Sequence, residues 1–274
     1  MNIPLEDNFT DVIGKAQRGL EISDSELAEQ AGLDVSAIRK LRGGNFDERA
    51  LSRLAPVLGL GARALTDLAR DEYRPHVREI DGLAMFNTTY HDMTVNAFLG
   101  WDPKSREAIA FDTGADCRPM LERIQAGRLT VKLILLTHAH PDHIADLSRL
   151  RKETGAPVYI SEREPISGAE TISEGYEFDV GALKVKAFQT WGHSPGGMTF
   201  FVTGLARPVA VVGDSIFAGS MGGGSVSYED AIKNNAEKIL KFPDETIICP
   251  GHGPLTTVGA EKEHNPFFAE QVSR

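Results

Sequence analysis

The sequence predicts an α/β domain of stacked sheet and helix layers, preceded by a small all-helical unit. Two observations carry this. Apolar residues recur at helical spacing across residues 8–70; from about Tyr73 they gather into short strand-like runs with amphipathic helical segments between them. The division is expected at residues 1–72 and 73–274, with 71–80 as the connecting hinge.

In the first part, Phe9, Val12, Ile13 and Ala16 make one apolar stripe. Leu27, Ala28 and Ala31 make a second, and Val35, Ile38 and Leu41 a third. Ser23 followed by Glu26 has the form of a capping box, and Gly32 suits a helix stop. Gly32-Leu33-Asp34 separates that helix from Val35–Arg42, which Gly43-Gly44 ends. Two more helices are expected, over Asp47–Leu58, kinked or ended early by Pro56, and over Ala62–Ala69.

A short helix, a tight turn and a second short helix within a five-helix unit resemble the helix-turn-helix domains of phage-repressor-like regulators. By that resemblance Glu26–Gly32 positions and Val35–Arg42 recognises, with Ser36, Arg39, Lys40 and Arg42 facing a DNA major groove. Residues 1–70 carry nine Lys/Arg against eleven Asp/Glu, where a DNA-binding domain is commonly basic. A bundle serving dimerisation or packing is the competing expectation.

In the second part, strands are expected at Val95–Trp101, Ala108–Phe111, Val131–Thr137, Val158–Ile160, Val185–Thr190, Met198–Thr203, Val209–Val212 and Thr246–Cys249. Helices are expected at Met120–Ala126, Ile144–Thr154 and Tyr228–Phe242. Composition is that of a folded chain, with 41% apolar and 25% charged residues among 274. A net charge of −10 argues against chain-wide attraction to nucleic acid or anionic membrane. No apolar run approaches the roughly 18 residues of a membrane span. The acidic start lacks a signal-peptide core, and Cys117 and Cys249 form no disulfide framework. A soluble, cytoplasmic protein without membrane contact is expected.

The chemistry concentrates at strand ends. The strand Val131–Thr137 runs into His138-Ala139-His140-Pro141-Asp142-His143, four potential metal ligands within six positions. His138 and His140 project to one side if the loop starts extended, so both can reach one ion; Asp142 and His143 can then serve a second. His193, Asp214 and His252 each follow another strand within a glycine-rich turn, where the backbone can approach a metal closely. Five of the eight histidines fall at such positions.

The series T-H-A-H-P-D-H, G-H-S-P-G, G-D-S-I-F and P-G-H-G, in that order, resembles the metallo-β-lactamase superfamily, and within it the glyoxalase-II-like hydrolases. The segment Cys249–Gly259 with Glu261 and Asn265-Pro266-Phe267 adds to that likeness. The resemblance implies a four-layer αββα sandwich with its active site at one edge. It also implies two divalent metal ions, zinc first, with iron and manganese open. His138, His140 and His193 would hold one ion, Asp142, His143 and His252 the other, and Asp214 would bridge. A hydroxide between the ions would cleave a small ester, thioester or lactone, with Asp142 or Asp214 orienting it or passing its proton. His91 and Trp191, on loops near strand ends, are candidates for the substrate pocket.

There are departures from the pattern. Gly197 stands where a second histidine is frequent, and Met221-Gly222-Gly223-Gly224 replaces a Gly-Arg-x-Asp. The chain ends soon after Phe267, short of the helical segment that holds glutathione in glyoxalase II. Two alternatives therefore stay open: a mononuclear-iron sulfur dioxygenase using His138, His193 and Asp214, and a metabolite-responsive regulator that binds DNA. A small-molecule substrate, DNA and a second copy of the chain are the candidate partners.

Overall fold

The computed structural model describes residues 3–269. Its first five helices are α1 (Phe9–Gly19), α2 (Asp24–Ala31), α3 (Val35–Arg42), α4 (Glu48–Val57) and α5 (Ala62–Ala69). Local chemistry sets their ends. Asn8 and Asp11 form a capping box on α1, and Ser23 and Glu26 form one on α2. Gly32 stops α2 at φ 61°, in the left-handed region that favours glycine. Pro56 falls in the last turn of α4, which ends one residue later.

Twelve strands follow in two mixed six-stranded sheets. The first holds β1 (Leu83–Tyr90), β2 (Met93–Trp101), β3 (Glu107–Phe111), β4 (Thr130–Leu135), β5 (Val158–Ser161) and β6 (Glu170–Ile172) in that spatial order. The second holds β7 (Glu177–Val180), β8 (Leu183–Gln189), β9 (Met198–Thr203), β10 (Val209–Gly213), β11 (Ile247–Pro250) and β12 (Thr256–Thr257), again as neighbours in sequence order. Helices α6 (Arg118–Gly127), α7 (Pro141–Ile144), α8 (Leu147–Thr154), α9 (Tyr228–Glu237) and α10 (Val258–His264) are the other α-helices among the described residues.

Several expected boundaries move by one or two residues, β2 and β8 each starting two residues early, and three changes matter more. β4 stops at Leu135, two residues before Thr137, because the chain there turns into the histidine loop. The helix expected over Ile144–Thr154 is split in two around Ala145-Asp146. The helix expected over Tyr228–Phe242 gives way after Glu237 to a single 3-10 turn, Ile239–Lys241.

Packing follows the layers. Phe98, Ile109 and Phe111 from the first sheet meet Val185, Phe200, Val211 and Ile247 from the second in one core. The outer face of the first sheet packs on α6 and α8 through Ala108, Ala110, Met120, Leu136 and Leu150. The outer face of the second sheet shares its core with the helical unit: Ala210, Val212 and Ile248 belong to one cluster with Ile13, Leu51, Leu54 and Leu65. The connecting segment is anchored at Tyr73, whose hydroxyl donates to buried Glu261 at 2.5 Å. Among the described residues, no helix is long and apolar enough to cross a membrane.

Candidate metal centre

The sheet topology decides where the site forms. β10 and β11 are parallel, and β8 lies antiparallel to β9, itself antiparallel to β10. β8, β10 and β11 therefore end on one edge, and the loops after them carry His193, Asp214 and His252. The histidine loop after β4 meets them there: the Met198 amide donates to the Thr137 carbonyl at 2.8 Å, and the Gly251 amide to the Gly213 carbonyl at 2.8 Å. Two glycines make the approach close enough. Gly213 has φ 51°, and a Cβ on it would lie 2.5 Å from Thr137 Oγ1. A Cβ on Gly251 would lie 2.1 Å from Asp214 Oδ1 and 2.6 Å from His143 Cε1.

All seven expected ligands come together, in two groups. His138, His140, His193 and Asp214 offer ligand atoms within 4.8 Å of one another, and so do Asp142, His143 and His252. Asp214 stands between the groups. Its Oδ2 is 3.3 Å from His193 Nε2 and 3.4 Å from His252 Nε2, and its Oδ1 is 3.3 Å from His143 Nε2. Asp142 Oδ2 lies 3.3 Å from His252 Nε2.

The outer hydrogen bonds fix the tautomers. His143 Nδ1 lies 2.8 Å from Asp112 Oδ2, His193 Nδ1 3.0 Å from the Gly223 carbonyl, and His252 Nδ1 2.6 Å from the Thr94 carbonyl. Each acceptor is an oxygen without a hydrogen, so each Nδ1 donates. The Thr137 hydroxyl donates to Asp112 Oδ2 at 2.7 Å and so accepts from His138 Nδ1 at 3.0 Å. Four imidazoles thus carry a proton on the outward Nδ1 and aim Nε2 inward. His138 Nε2, His143 Nε2 and Asp214 Oδ1 are buried without a hydrogen-bond partner, although the last two are close to each other. Ring nitrogens and carboxylate oxygens crowded on a common centre, with His140 Nδ1 3.1 Å from His193 Nε2, are what metal ligands require, so the residues fit a pair of ions.

Charge follows the same geometry. Burial alone would push the Asp214 carboxyl up, but His143 and His252 outweigh it and hold it well below the usual carboxylate range. Burial likewise disfavours charge on His143 and His252. The carboxylates win there too, Asp214 and Asp112 raising His143 to about 10 and Asp214 and Asp142 raising His252 to about 11. His138 goes the other way, held well below its usual value by burial and then by its histidine neighbours.

Asp112 was not among the expected site residues. It follows β3 as Asp214 follows β10, and Asp112-Thr113-Gly114 after a buried strand is the signal that could have found it. The two pocket candidates sit on loops at strand ends. His91 is exposed in the β1–β2 turn, edge-on to Tyr90, while Trp191 is half-buried with the Arg163 guanidinium 4.3 Å over its ring. In α3, Ser36, Arg39 and Lys40 are exposed; Arg42 turns back to Gln17 at 3.0 Å.

Sequence and structure comparisons agree with this centre. The Metallo-beta-lactamase superfamily pattern matches residues 93–252, more than half of the chain. The chain belongs to that superfamily and is one of its metallo-hydrolases. It is 31% identical over 188 residues to the probable metallo-hydrolase YqgX of Bacillus subtilis, covering 59% of this chain and 87% of that protein. It is 30% identical over 199 residues to the hydroxyacylglutathione hydrolase GloC of Haemophilus influenzae, covering 63% and 92%. The crystal structure of BLEG-1, described as a B3 metallo-β-lactamase, aligns with TM-score 0.57 and 30% identity over 67% of this chain and 99% of that one. TTHA1623, crystallised in a di-iron-bound form, aligns with TM-score 0.56 and 26% identity over 67% and 100%.

Proposed function

We propose that this chain is a binuclear metal-dependent hydrolase of a small ester, thioester or lactone, of the glyoxalase-II-like kind. In this reading residues 73–274 form the catalytic domain, and the protein works in the cytoplasm, in keeping with its two buried, unpaired cysteines. One observation carries the reading: four outward-protonated imidazoles and two ionised carboxylates converge in two groups, with Asp214 of the first also in contact with His143 and His252 of the second. The thioester option draws support from GloC, whose name gives an acylglutathione substrate. Zinc is the ion we assign; the all-imidazole and carboxylate donor set also receives iron or manganese.

His138, His140, His193 and Asp214 would hold one ion, and Asp142, His143, His252 and Asp214 the other. When bound, the ions supply a water acidic enough to be deprotonated near neutral pH and a Lewis acid for the scissile carbonyl. The side chains do the rest. Asp112 and Thr137 keep His143 and His138 in the ligating tautomer. Asp214 touches both groups and is fixed between them. Asp142 touches only the second group, so it is the carboxylate free to orient the attacking water and carry its proton to the leaving group.

The test is metal analysis of the full-length protein, followed by assay of wild type and Asp214→Ala on thioesters, lactones, β-lactams and phosphodiesters. About two ions per chain, and loss of at least about a hundredfold in kcat/KM on the preferred class, are expected. Hydrolysis undiminished by the substitution refutes the mechanism. One iron per chain with persulfide-dependent oxygen uptake would establish the dioxygenase instead.

A second reading rests on α3, whose exposed Ser36, Arg39 and Lys40 follow the three-residue turn of a repressor-like helix-turn-helix within residues 1–72. Here DNA is the partner. Binding of the full chain to duplex DNA should weaken steeply with salt, and Arg39→Ala with Lys40→Ala should abolish it. Binding that ignores both salt and these substitutions rules this reading out.

A further inference from the structure

The helical unit reaches the metal centre through the irregular segment that precedes α1. Pro4 and Glu6 pack against the His252 loop: a Cβ on Gly253 would sit 3.1 Å from the Glu6 amide nitrogen, 3.5 Å from Glu6 Cβ and 3.7 Å from the Pro4 carbonyl oxygen. On the other side the segment is fastened by Asp7. Its Oδ2 accepts from Ser220 Oγ at 2.6 Å and is paired with Lys15 Nζ, which also donates to the Met221 carbonyl at 2.8 Å. Glu6 is therefore held in place between two active-site loops.

Its side chain is half-buried and has no hydrogen bond or ion pair among the described residues. It feels the charges of His252 and Lys15, which favour its ionised form, and of Asp7 and Asp214, which oppose it. It also lines a cleft of about 1550 Å³ that runs between the N-terminal segment, the connecting segment and β1. The seven ligands do not line this cleft; Glu6 does, and its backbone packs on Gly253, the neighbour of His252. The cleft ends beside the ligand loop: it is lined by Asn87, which donates to Asn96, and Asn96 in turn donates to the Pro250 and Gly253 carbonyls that flank His252. A partly desolvated carboxylate with no donor among the described residues is an open demand for one. A substrate carboxylate placed there would face a like charge, whereas an ammonium or other N–H group would be bound.

We propose that Glu6 is a specificity-determining residue that selects substrates bearing an ammonium or N–H donor close to the scissile carbonyl, on the arm lying in the cleft. This rests on the hydrolase reading and adds the chemical class of the substrate. The helical unit thereby becomes a wall of the active site.

Matched thioesters carrying an ammonium, no charge or a carboxylate, on the acyl arm in one series and the thiol arm in another, test it with the metal-loaded, full-length protein. Wild type should prefer the ammonium over the carboxylate in one series, and Glu6→Gln should lower that kcat/KM ratio by roughly tenfold to a hundredfold, the worth of one charge-assisted hydrogen bond. Glu6→Lys should invert the preference. Calorimetric binding of the ammonium-bearing and carboxylate-bearing product acids should show the same reversal without turnover. A uniform fall across all substrates marks a merely structural role and overturns the proposal, as does a ratio that does not move. If wild type hydrolyses no thioester, ester or lactone, the hydrolase reading itself fails.

Discussion

Asp112 Oδ2 accepts both the Nδ1 hydrogen of His143, at 2.8 Å, and the hydroxyl hydrogen of Thr137, at 2.7 Å. One buried carboxylate therefore sets the tautomer of a ligand in each group, directly for His143 and through Thr137 for His138. Asp112→Ala frees both rings and leaves the Thr137 hydroxyl without its acceptor. Its expected effect is a fall of about tenfold to a hundredfold in metal affinity, read by competition with a chromogenic chelator. An unchanged affinity would show that the rings are oriented by packing alone.

Gly251 gives a second prediction. A methyl there would meet Asp214 Oδ1 at 2.1 Å and His143 Cε1 at 2.6 Å, and neither can retreat, because both are buried. Gly251→Ala should cost about 1–3 kcal/mol of stability through overpacking. It should also reduce the metal content, since the displaced carboxylate is the one both groups share. Elemental analysis beside urea denaturation separates the two effects. Full metal content with wild-type stability would contradict the packing.

The charge pattern predicts how the metal-free protein responds to pH. His143 and His252 are raised to about 10 and about 11, above their unfolded value of 6.5. Groups raised in this direction contribute their stability fully below pH 6.5 and lose it as pH climbs through 10 to 11. The urea midpoint of the apoprotein should therefore fall across that window. Ligation needs both imidazoles neutral, so loading with metal at pH 7 should release about two protons and flatten the dependence. Calorimetry in buffers of differing ionisation enthalpy counts them; no net release would refute the assignment.

Much of this molecule could be read without coordinates, and what could not has physical reasons. The helices α1–α5 announce themselves through caps and apolar stripes, which are local signals: Ser23 and Glu26 make the box their spacing implied. β1 gives no such signal. It is an edge strand, half-buried along nearly its whole length, so Leu83–Tyr90 shows no clean alternation. The seven candidate ligands were legible because metal chemistry admits few residue types and each sits at a strand end. Asp112 has the same placement but looks, taken alone, like a turn aspartate, and its φ of 56° is that of one. Glu6 lies 246 positions before His252; no sequence pattern brings those two together, and only the docking of the helical unit on the second sheet does.

That docking turns on Lys15, which supports the last prediction. Its ammonium and the Asp7 carboxylate are 14% and 9% exposed, and the ammonium also caps the Met221 carbonyl and stands 5.1 Å over the Phe217 ring. Phe217 in turn meets the His252 ring edge-on at 5.7 Å, and the loop from Phe217 continues to Gly223, whose carbonyl takes the His193 Nδ1 hydrogen. Lys15→Met strands the Asp7 charge in a poorly solvated place, which costs about 3–5 kcal/mol when one partner of a buried pair is removed. Adding Asp7→Asn removes the stranded charge and should recover much of that loss. A purely scaffolding role predicts nothing more than this shift and its recovery in urea denaturation. Because the loop held by Lys15 also holds a metal ligand, the single variant should in addition bind metal more weakly while still folded, and the double variant, which restores charge balance but not the bond to Met221, should not regain that affinity. Stability and metal affinity that return together would mean that the clasp fastens the helices without reaching the metals.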